Sequence, residues 1–465
     1  MDSITPDDQN LTADFQPSKR FFVSMLTRDI ELNDAILDLL DNCVDGALRN
    51  SNAKKNDNPY AGFKADLEIT QDSFTISDNC GGIAKSDRDY AFRMGRPHRE
   101  NDEDEGTVGV YGIGMKRAIF KMGTRCNIDS NHPEGAFEVD ITPEWISSDA
   151  WKIPIIENDF LADATGGTKI RITNLHSNIS QKFSEESYLT DLHDQIKHSL
   201  SFIIQKGFTI TLNGTIIKAN PIKLMSDGND IEPFIYRADI EGVKVDLAVG
   251  FYKSLEDEEE DATVKRSSEN AGWTVICNDR VVLYCDKTHL TGWGLAPVPR
   301  FHNQFIAISG VVRFTCKDPE KLPITTTKRG VDLSSVLYND VRNKMIEGML
   351  IFIRFTNQWK GENLEHGKKI LNKAKSVNAQ VFLSKDKEND NPGKGSWSHP
   401  NRNIHELKFI PKLPIPQIIR TKVRIVFTRE ITEVKSLAEH FFGDENFSPS
   451  EVGNKCFEIV FNEVI

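Results

Sequence analysis

An amphipathic stretch near the start of the chain constrains the fold more than any other feature of the sequence. Across residues 31–48, ELNDAILDLLDNCVDGAL, apolar residues recur with the helical period and cover one side of a predicted helix. The opposite side carries Asp34, Asp38, Asn42 and Asp45. At 100° per residue, the last three lie within about 60° of one another. Aspartate and asparagine are poor helix formers, so the pattern indicates a functional acidic surface, with a solvated helix face as the simpler alternative.

Two short alternating runs, 67–70 and 74–77, predict a β-hairpin that ends in the sequence DNCGGI at 78–83. Asp78 stands at the strand end, and the glycines after it let a flat ligand approach the backbone. A carboxylate in this position can accept a hydrogen bond from an exocyclic amine such as adenine N6. An ordinary Asn/Gly turn is the alternative interpretation.

A glycine-rich segment, GVYGIGMK at 109–116, leads into a predicted helix. Glycines let backbone N–H groups line a concavity, and a helix N-terminus adds partial positive charge, so the segment can hold phosphate oxygens. It lacks the GxxxxGK[ST] pattern of a Walker loop, and no Rossmann-type strand and turn precedes it. A fourth segment, GGTKIRI at 166–172, predicts a turn into a strand with Thr168 at its mouth.

The order and spacing of these four segments resemble the Bergerat fold of the GHKL superfamily, which includes gyrase, heat-shock chaperones, histidine kinases and MutL. The resemblance covers about residues 25–175 and implies that ATP and Mg²⁺ are the cofactors. It further implies that Asn42 binds Mg²⁺ and that Asp78 reads adenine, with Thr168 behind it through a water. Gly82 would let the base approach.

The resemblance also assigns residues to the phosphates and to the chemistry. The phosphate-binding end of a lid over about 84–115 would be formed by Gly109, Gly112, Gly114 and Lys116. Asp38 falls where GHKL ATPases carry a general-base glutamate, and its side chain is shorter by one C–C bond of about 1.5 Å. We therefore expect slow hydrolysis, unless the backbone has moved inward to compensate.

One departure concerns the base-reading turn. Cys80 stands where the family's D-x-G-x-G pattern has its first glycine, which makes Gly81 the candidate substitute.

A lysine far along the chain adds a fifth element. The sequence LPITTTKRGVD at 322–332 resembles the lysine-bearing loop of the transducer domains of gyrase, MutL and MORC-type ATPases. That resemblance implies that Lys328 stabilises charge on the transferred phosphoryl group. A surface lysine in a threonine-rich loop is the alternative.

The predicted fold class is α+β, with a Bergerat α/β sandwich, an α+β transducer-type domain and a small C-terminal α/β domain. In the last of these we expect a β-like run at 418–428, a short helix near 432–441 and a terminal strand at 456–461. The predicted divisions are an N-terminal arm at 1–20, the ATP-binding domain at 21–206, the transducer-like domain at 207–383, a linker at 384–405 and the C-terminal domain at 406–465.

Charge and hydropathy narrow the possible partners. The net charge of −12 disfavours a nucleic acid held by bulk charge. No stretch approaches the 18 to 20 consecutive apolar residues of a membrane span, and the acidic start lacks the pattern of a signal peptide, so we expect a cytoplasmic protein without a membrane partner.

The leading functional hypothesis is an ATP-driven conformational switch, most similar to bacterial MORC-like and heat-shock-type proteins, that forms a homodimer on ATP binding. Its protein or DNA partner is unknown. One alternative is a nucleotide-gated scaffold with little or no hydrolysis. A protein kinase is disfavoured, because no dimerisation helix with a phosphoacceptor histidine precedes the pocket.

Overall fold

Two large β-sheets, each packed against helices, make up most of the fold. The structure, a computed structural model, describes residues 18–49, 58–93, 95, 112–159, 166–255, 269–325, 327–384, 393–401, 403–416 and 425–464. The chain divides into two units, Met1–Ile415 and Pro416–Ile465. The first unit holds both sheets, and we call the parts around them the first domain (18–217) and the second domain (222–414).

The first domain contains an eight-stranded sheet. Its strands are β1 (Lys64–Ile69), β2 (Phe74–Asp78), β3 (Gly123–Asn131), β4 (Ala136–Ile141), β5 (Ile156–Asn158), β6 (Gly167–Leu175), β7 (Thr209–Leu212) and β8 (Thr215–Ile216). They lie in the order β5-β4-β3-β6-β2-β1-β7-β8, antiparallel except for the β1–β7 pair. Buried and exposed residues alternate along β1 and β3, as expected for a sheet with one covered face.

Helices cover that face. The helices of the first domain are α1 (Lys19–Arg28), α2 (Leu32–Arg49), α3 (Arg88–Phe92), α4 (Gly114–Met122), α5 (Pro143–Ser147), α6 (Ser177–Phe183), α7 (Glu186–Ser199) and α8 (Ser201–Gln205). The apolar side of α2 and the buried side of α4 share one core with the sheet, so Leu40 and Ile119 belong to the same cluster as Leu67 and Ile128. This packing holds the apolar side of α2 against the sheet.

The second domain contains a seven-stranded sheet and a two-stranded one. Their strands are β9 (Lys223–Ser226), β10 (Phe234–Ile240), β11 (Val243–Phe251), β12 (Gly272–Cys277), β13 (Arg280–Asp286), β14 (Ile308–Thr315), β15 (Lys375–Asn378), β16 (Gly395–Ser398) and β17 (Leu407–Pro411). The larger sheet has the order β13-β12-β14-β11-β10-β17-β16, and β9 pairs with β15.

The α-helices among the described residues of the second domain are α9 (Val336–Gln358), α10 (Leu364–Leu371) and α11 (Ala379–Ser384). Helix α9 lies close to the sheet, since a Cβ at Gly348 would be 2.7 Å from Cγ1 of Val249. All six residues of β12 are buried, because apolar clusters cover both faces of the sheet there.

The structure confirms the α+β class, the helix predicted at 31–48 and the hairpin that precedes Asp78. Helices α7 and α8 are separated only by Leu200. Helix α1 begins at Lys19, inside the predicted arm, and residues 1–17 lie outside the described part of the chain.

Two strands of the second sheet lie in segments that the sequence assigned to a linker and to a C-terminal domain. Strand β16 falls within the segment predicted as a linker, and β17 falls at the start of the segment predicted as a C-terminal domain. Both extend the second sheet, because β17 pairs with β10 and β16 pairs with β17.

The C-terminal unit contains α12 (Ile431–Phe442) and α13 (Pro449–Val464). The strand predicted at 456–461 is wrong, since those residues lie inside α13. The physical reason is a capping box, in which the Ser448 hydroxyl accepts from the N–H of Glu451 and the Glu451 carboxylate accepts from the N–H of Ser448. Of the β-like run predicted at 418–428, residues 425–428 have no regular structure and the rest lie outside the description.

Within the described residues, no helix combines the length and the hydrophobicity that crossing a membrane requires.

Candidate functional site

Helix α2 carries the acidic residues at different depths. Asp34, Asp41 and Asp45 are buried, whereas Asn42 is exposed. Asp38 lies between these extremes, with 14% of its side chain accessible to solvent. The exposed amide of Asn42 and the slightly exposed carboxylate of Asp38 are therefore the polar groups of this surface that a ligand from solvent reaches first.

A loop of the second domain brings Lys328 onto this surface. Its ammonium nitrogen lies 3.3 Å from Oδ1 of Asp38 and donates a 2.8 Å hydrogen bond to Oδ2 of Asp41. The loop is closed by a bridge between Ile324 and Val331. Lys328 adopts a φ of +55°, a left-handed conformation that is uncommon for a residue with a side chain.

Two further cations contact the same helix. Arg280, at the start of β13, places Nε 3.0 Å from Oδ1 of Asp41, and the two side chains are only 3% and 2% exposed. Arg329 forms an ion pair with Asp34. Sequence reasoning missed Asp41, Arg280 and Arg329, although a carboxylate at the edge of the apolar side of α2 signals a buried cationic partner.

The charges in this cluster shift one another's pKa values. Burial raises the pKa of Asp38, and the nearby Lys328 and Arg117 oppose this only partly. Burial also acts to raise the pKa of Asp41, but Arg280 and Lys328 outweigh it and hold the pKa below the usual range. Burial lowers the pKa of Lys328, yet Asp41 and Asp38 more than compensate and the net direction is upward. Of Asp38 and Asp41, Asp38 is thus the carboxylate that takes a proton more readily.

The glycine-rich segment meets the helix at Asp38. A Cβ on Gly114 would lie 3.2 Å from Cγ of Asp38, so glycine permits this approach at the N-terminus of α4. Gly112 has a φ of +62°, and its carbonyl oxygen accepts a 2.8 Å hydrogen bond from the buried Lys116 side chain. Gly109 lies outside the described residues.

Asp78 lies against the same helix and contacts it at Cys43, the residue that follows Asn42. Its Oδ1 accepts hydrogen bonds from the N–H of Cys80 at 2.8 Å and from the N–H of Thr168 at 3.3 Å. Its Oδ2 lies 3.5 Å from the thiol of Cys43, a weak donor. Burial raises the pKa of Asp78, and these hydrogen bonds oppose the rise. Among the described residues, Oδ2 therefore retains capacity to accept a strong hydrogen bond.

The backbone conformation favours glycine at both positions after Cys80, and packing requires it at Gly82. Gly81 and Gly82 have φ values of +104° and +73°, and a Cβ on Gly82 would overlap the carbonyl oxygen of Asn131 at the end of β3. Cys80 is buried against α2, and a Cβ on Gly46 of that helix would lie 3.2 Å from the Cβ of Cys80. Both glycines after Cys80 are left-handed, and the place of the first motif glycine is taken by a packing residue.

A comparison with protein families decides what this domain is. Residues 30–166 match the family model described as histidine kinase-, DNA gyrase B-, and HSP90-like ATPase. The first domain is a GHKL domain. Thr168 and Lys328 lie outside the matched residues. Among curated proteins, none matches the chain. The predicted superfamily is confirmed, and with it membership in a family of ATP-binding domains; the MORC-like subtype stays a prediction.

The GHKL domain brings the two ends of the predicted site onto one helix. Asp38 contacts the glycine-rich segment and the lysine loop, and Cys43 contacts Asp78. These positions are five residues apart, which is about 7.5 Å along a helix axis. Asn42 lies between them on the exposed side. The site thus has an acidic end that meets the second domain and an end at Asp78, predicted from the sequence to read the base, that is built on the sheet.

Proposed function

We propose that the chain binds ATP with Mg²⁺ in its GHKL domain, hydrolyses it slowly, and uses the nucleotide to change how the second domain engages the site. The ATP-bound form is a closed homodimer, and hydrolysis reopens it. The single observation that carries this proposal is the reach of Lys328 from the second domain to Asp38 and Asp41 on α2. A conformational switch needs a side chain that belongs to one domain and can bind the nucleotide held by another, because nucleotide binding must favour one arrangement of the two domains.

The base-reading end supports adenine as the nucleobase. Oδ1 of Asp78 is held by two backbone N–H groups, so the orientation of the carboxylate is fixed before a ligand arrives. Oδ2 then accepts from the exocyclic amine of adenine. A carbonyl at the same position, as in guanine, would face a carboxylate oxygen and find no donor.

The donor set supports a hard divalent cation beside the phosphates. The exposed amide of Asn42 offers an oxygen ligand of the type that Mg²⁺ prefers, and nucleotide oxygens and waters complete such a site. Asn42 would hold the ion, with Gly109, Gly112, Gly114 and Lys116 around the phosphates. When bound, Mg²⁺ neutralises charge on the phosphate oxygens and orients them.

The residues of this chain have distinct roles in the proposed reaction. Asp38 accepts a proton from the attacking water, directly or through a second water, because its side chain is short. Lys328 leaves the carboxylates of α2 and stabilises the charge of the transferred phosphoryl group. Thr168 supports Asp78 through its hydroxyl as well as its backbone N–H.

A second candidate is a nucleotide-gated scaffold that barely hydrolyses ATP. The contact between Lys328 and Asp38 favours it, because an ammonium group beside the base lowers its readiness to take a proton. The two candidates share the nucleotide site and differ only in turnover.

Phosphate release and particle size measured together test both candidates. We expect wild-type chain to release phosphate from Mg–ATP, Asp38→Asn to lose this activity by about 10²-fold or more, and a non-hydrolysable ATP analogue to double the mass in light scattering. Turnover equal to that of Asp38→Asn would favour the scaffold. No change in mass or compactness with the analogue would refute the switch. Repeating the assays with duplex DNA tests that class of partner.

A further inference from the structure

The second domain touches the GHKL domain through a β-turn as well as through the lysine loop. Asn278 and Asp279, between β12 and β13, have φ values of +45° and +66°, which is typical of a tight hairpin turn. The Asp279 carboxylate accepts 2.6 Å hydrogen bonds from Lys206 and a 3.2 Å hydrogen bond from the hydroxyl of Tyr60. This turn is therefore anchored to the GHKL domain at its own carboxylate, independently of the nucleotide site.

The next residue, Arg280, extends from the anchored turn to Asp41. Its Nε lies 3.0 Å from Oδ1 without the alignment of a hydrogen bond, and Nη1 donates to the carbonyl of Val281 at 3.2 Å. Lys328 takes the other oxygen of Asp41 through an aligned hydrogen bond. One buried carboxylate thus has two cations, one on a fixed strand and one on a loop.

This arrangement decides what happens when Lys328 moves. A buried carboxylate that loses its only counterion is strongly destabilised, because it is neither hydrated nor paired. Asp41 keeps Arg280 when Lys328 departs, so it is never left alone. The departure of Lys328 also removes the ammonium group that lies 3.3 Å from Asp38.

We propose that Arg280 is a positioning residue that makes Lys328 exchangeable between Asp41 and the terminal phosphate of the nucleotide; this inference rests on the function proposed above. Arg280 does not touch the nucleotide. It holds the charge of Asp41 in both states, so that the cost of moving Lys328 stays small. Without Arg280, Lys328 becomes the sole counterion of Asp41 and is retained there.

The ratio of ADP and ATP-analogue affinities tests this role. Lys328 is proposed to bind the terminal phosphate, which the ATP analogue has and ADP lacks. If Lys328 stays bound to Asp41, the affinity for the analogue falls and the affinity for ADP does not. We expect Arg280→Met to lower the ratio Kd(ADP)/Kd(analogue) by about tenfold or more, which corresponds to about 1.4 kcal/mol. We expect the double variant Asp41→Asn/Arg280→Met to restore the ratio to within about threefold of wild type, because an amide needs no counterion. Both are measured by calorimetry on the full chain with Mg²⁺.

Arg313→Met is the matched control. Arg313 forms a 2.8 Å ion pair with Asp246 inside the second sheet, away from α2. We expect it to lower the melting temperature without changing the affinity ratio. Arg280→Gln, which also lacks the charge, makes the same test if Arg280→Met does not fold.

The outcomes separate this inference from the proposed function. Equal loss of ADP and analogue affinity in the Arg280 variants would show a merely structural role and overturn the inference alone. Failure of the double variant to restore the ratio would also overturn it. A wild-type chain that binds neither nucleotide would overturn the proposed function and this inference together.

Discussion

Lys328 of the second domain lies 3.3 Å from Asp38 on helix α2 of the GHKL domain. The two residues proposed to carry the chemistry are thus paired with each other. A carboxylate beside an ammonium group is a weaker base than the same carboxylate without that group, and an ammonium group that is bound to carboxylates is not available to a phosphate. A terminal phosphate must therefore compete with Asp38 and Asp41 for Lys328.

Replacing Lys328 by methionine removes the ammonium group that contacts Asp38 and Asp41. We expect Lys328→Met to lower the rate of phosphate release by about 10²- to 10³-fold, because a preorganised charge on the transferred group is lost. ADP affinity should stay within about threefold of wild type, since ADP has no terminal phosphate to discriminate. Lys321→Met, a change at an exposed lysine of the same domain, is the control. A Lys328→Met protein as active as this control would refute the role of Lys328.

The pH dependence of Asp38 provides a second test. Burial raises its pKa and Lys328 opposes the rise, so removal of Lys328 should raise the pKa further. We expect the Asp38 carboxyl carbon, followed by nuclear magnetic resonance, to titrate at a higher pH in Lys328→Met than in wild type. A midpoint that is equal or lower in the variant would contradict the pairing.

The same shift affects stability with a defined sign. A carboxyl group whose pKa is higher in the folded state binds its proton more tightly there, so its stabilising contribution is present at low pH. That contribution is lost as the pH rises from 3.8 through the raised pKa. Because the pKa is higher in Lys328→Met, we expect its unfolding free energy to fall more over this range than that of wild type. The Asp38→Asn/Lys328→Met double variant should lose this dependence.

The backbone at Lys328 allows its conformation to be tested apart from its charge. A residue with a Cβ at a φ of +55° is destabilised by about 1–2 kcal/mol relative to glycine. Lys328→Ala and Lys328→Gly both remove the ammonium group, but only glycine relieves the backbone. We expect Lys328→Gly to be the more stable of the two by about 1 kcal/mol in thermal unfolding. Equal stability would mean that the left-handed conformation is absent in solution.

Helix α2 was predictable from the sequence because its information is local. The apolar period fixes which side of the helix is buried, and the polar positions follow from it. The partners of Asp41 were not predictable in this way, since Arg280 and Lys328 come from the second domain and no local pattern links them to α2. The approach of Lys328 to the site was expected only from the resemblance to transducer loops.

The C-terminal helix shows how a local signal is misread. The run CFEIVF at 456–461 has the composition of a strand, and composition alone favoured one. The sequence Ser448-Pro449-Ser450-Glu451 before it contains a capping box with proline at the first helical position, which starts a helix. The start signal outweighed the β-like composition that follows.

Asp78 provides a test of base recognition that leaves the fold intact. In Asp78→Asn, the amide oxygen can keep the hydrogen bonds from Cys80 and Thr168, while the amide nitrogen replaces the oxygen that would accept from adenine. We expect ATP affinity to fall by about 1.5–3 kcal/mol, the contribution of a hydrogen bond to a charged group. Asp140→Asn, which alters an exposed pair with Arg125 in the same sheet, is the control. Unchanged ATP affinity, measured by calorimetry, would refute this assignment of Asp78.

Substitutions at Gly81 and Gly82, the two glycines after Cys80, test whether glycine is required there for packing or for the approach of the base. A Cβ on Gly81 meets open space, so Gly81→Ala should cost only the strain of its φ of +104°, about 1–3 kcal/mol. A Cβ on Gly82 adds an overlap with the carbonyl oxygen of Asn131, so Gly82→Ala should destabilise the chain more than Gly81→Ala does. Thermal unfolding without nucleotide measures both variants. The contrary outcome is a Gly82→Ala protein that unfolds at or above the temperature of Gly81→Ala and loses only nucleotide affinity. That outcome would mean that the backbone of β3 has room for the added methyl group and that Gly82 serves only the approach of the base.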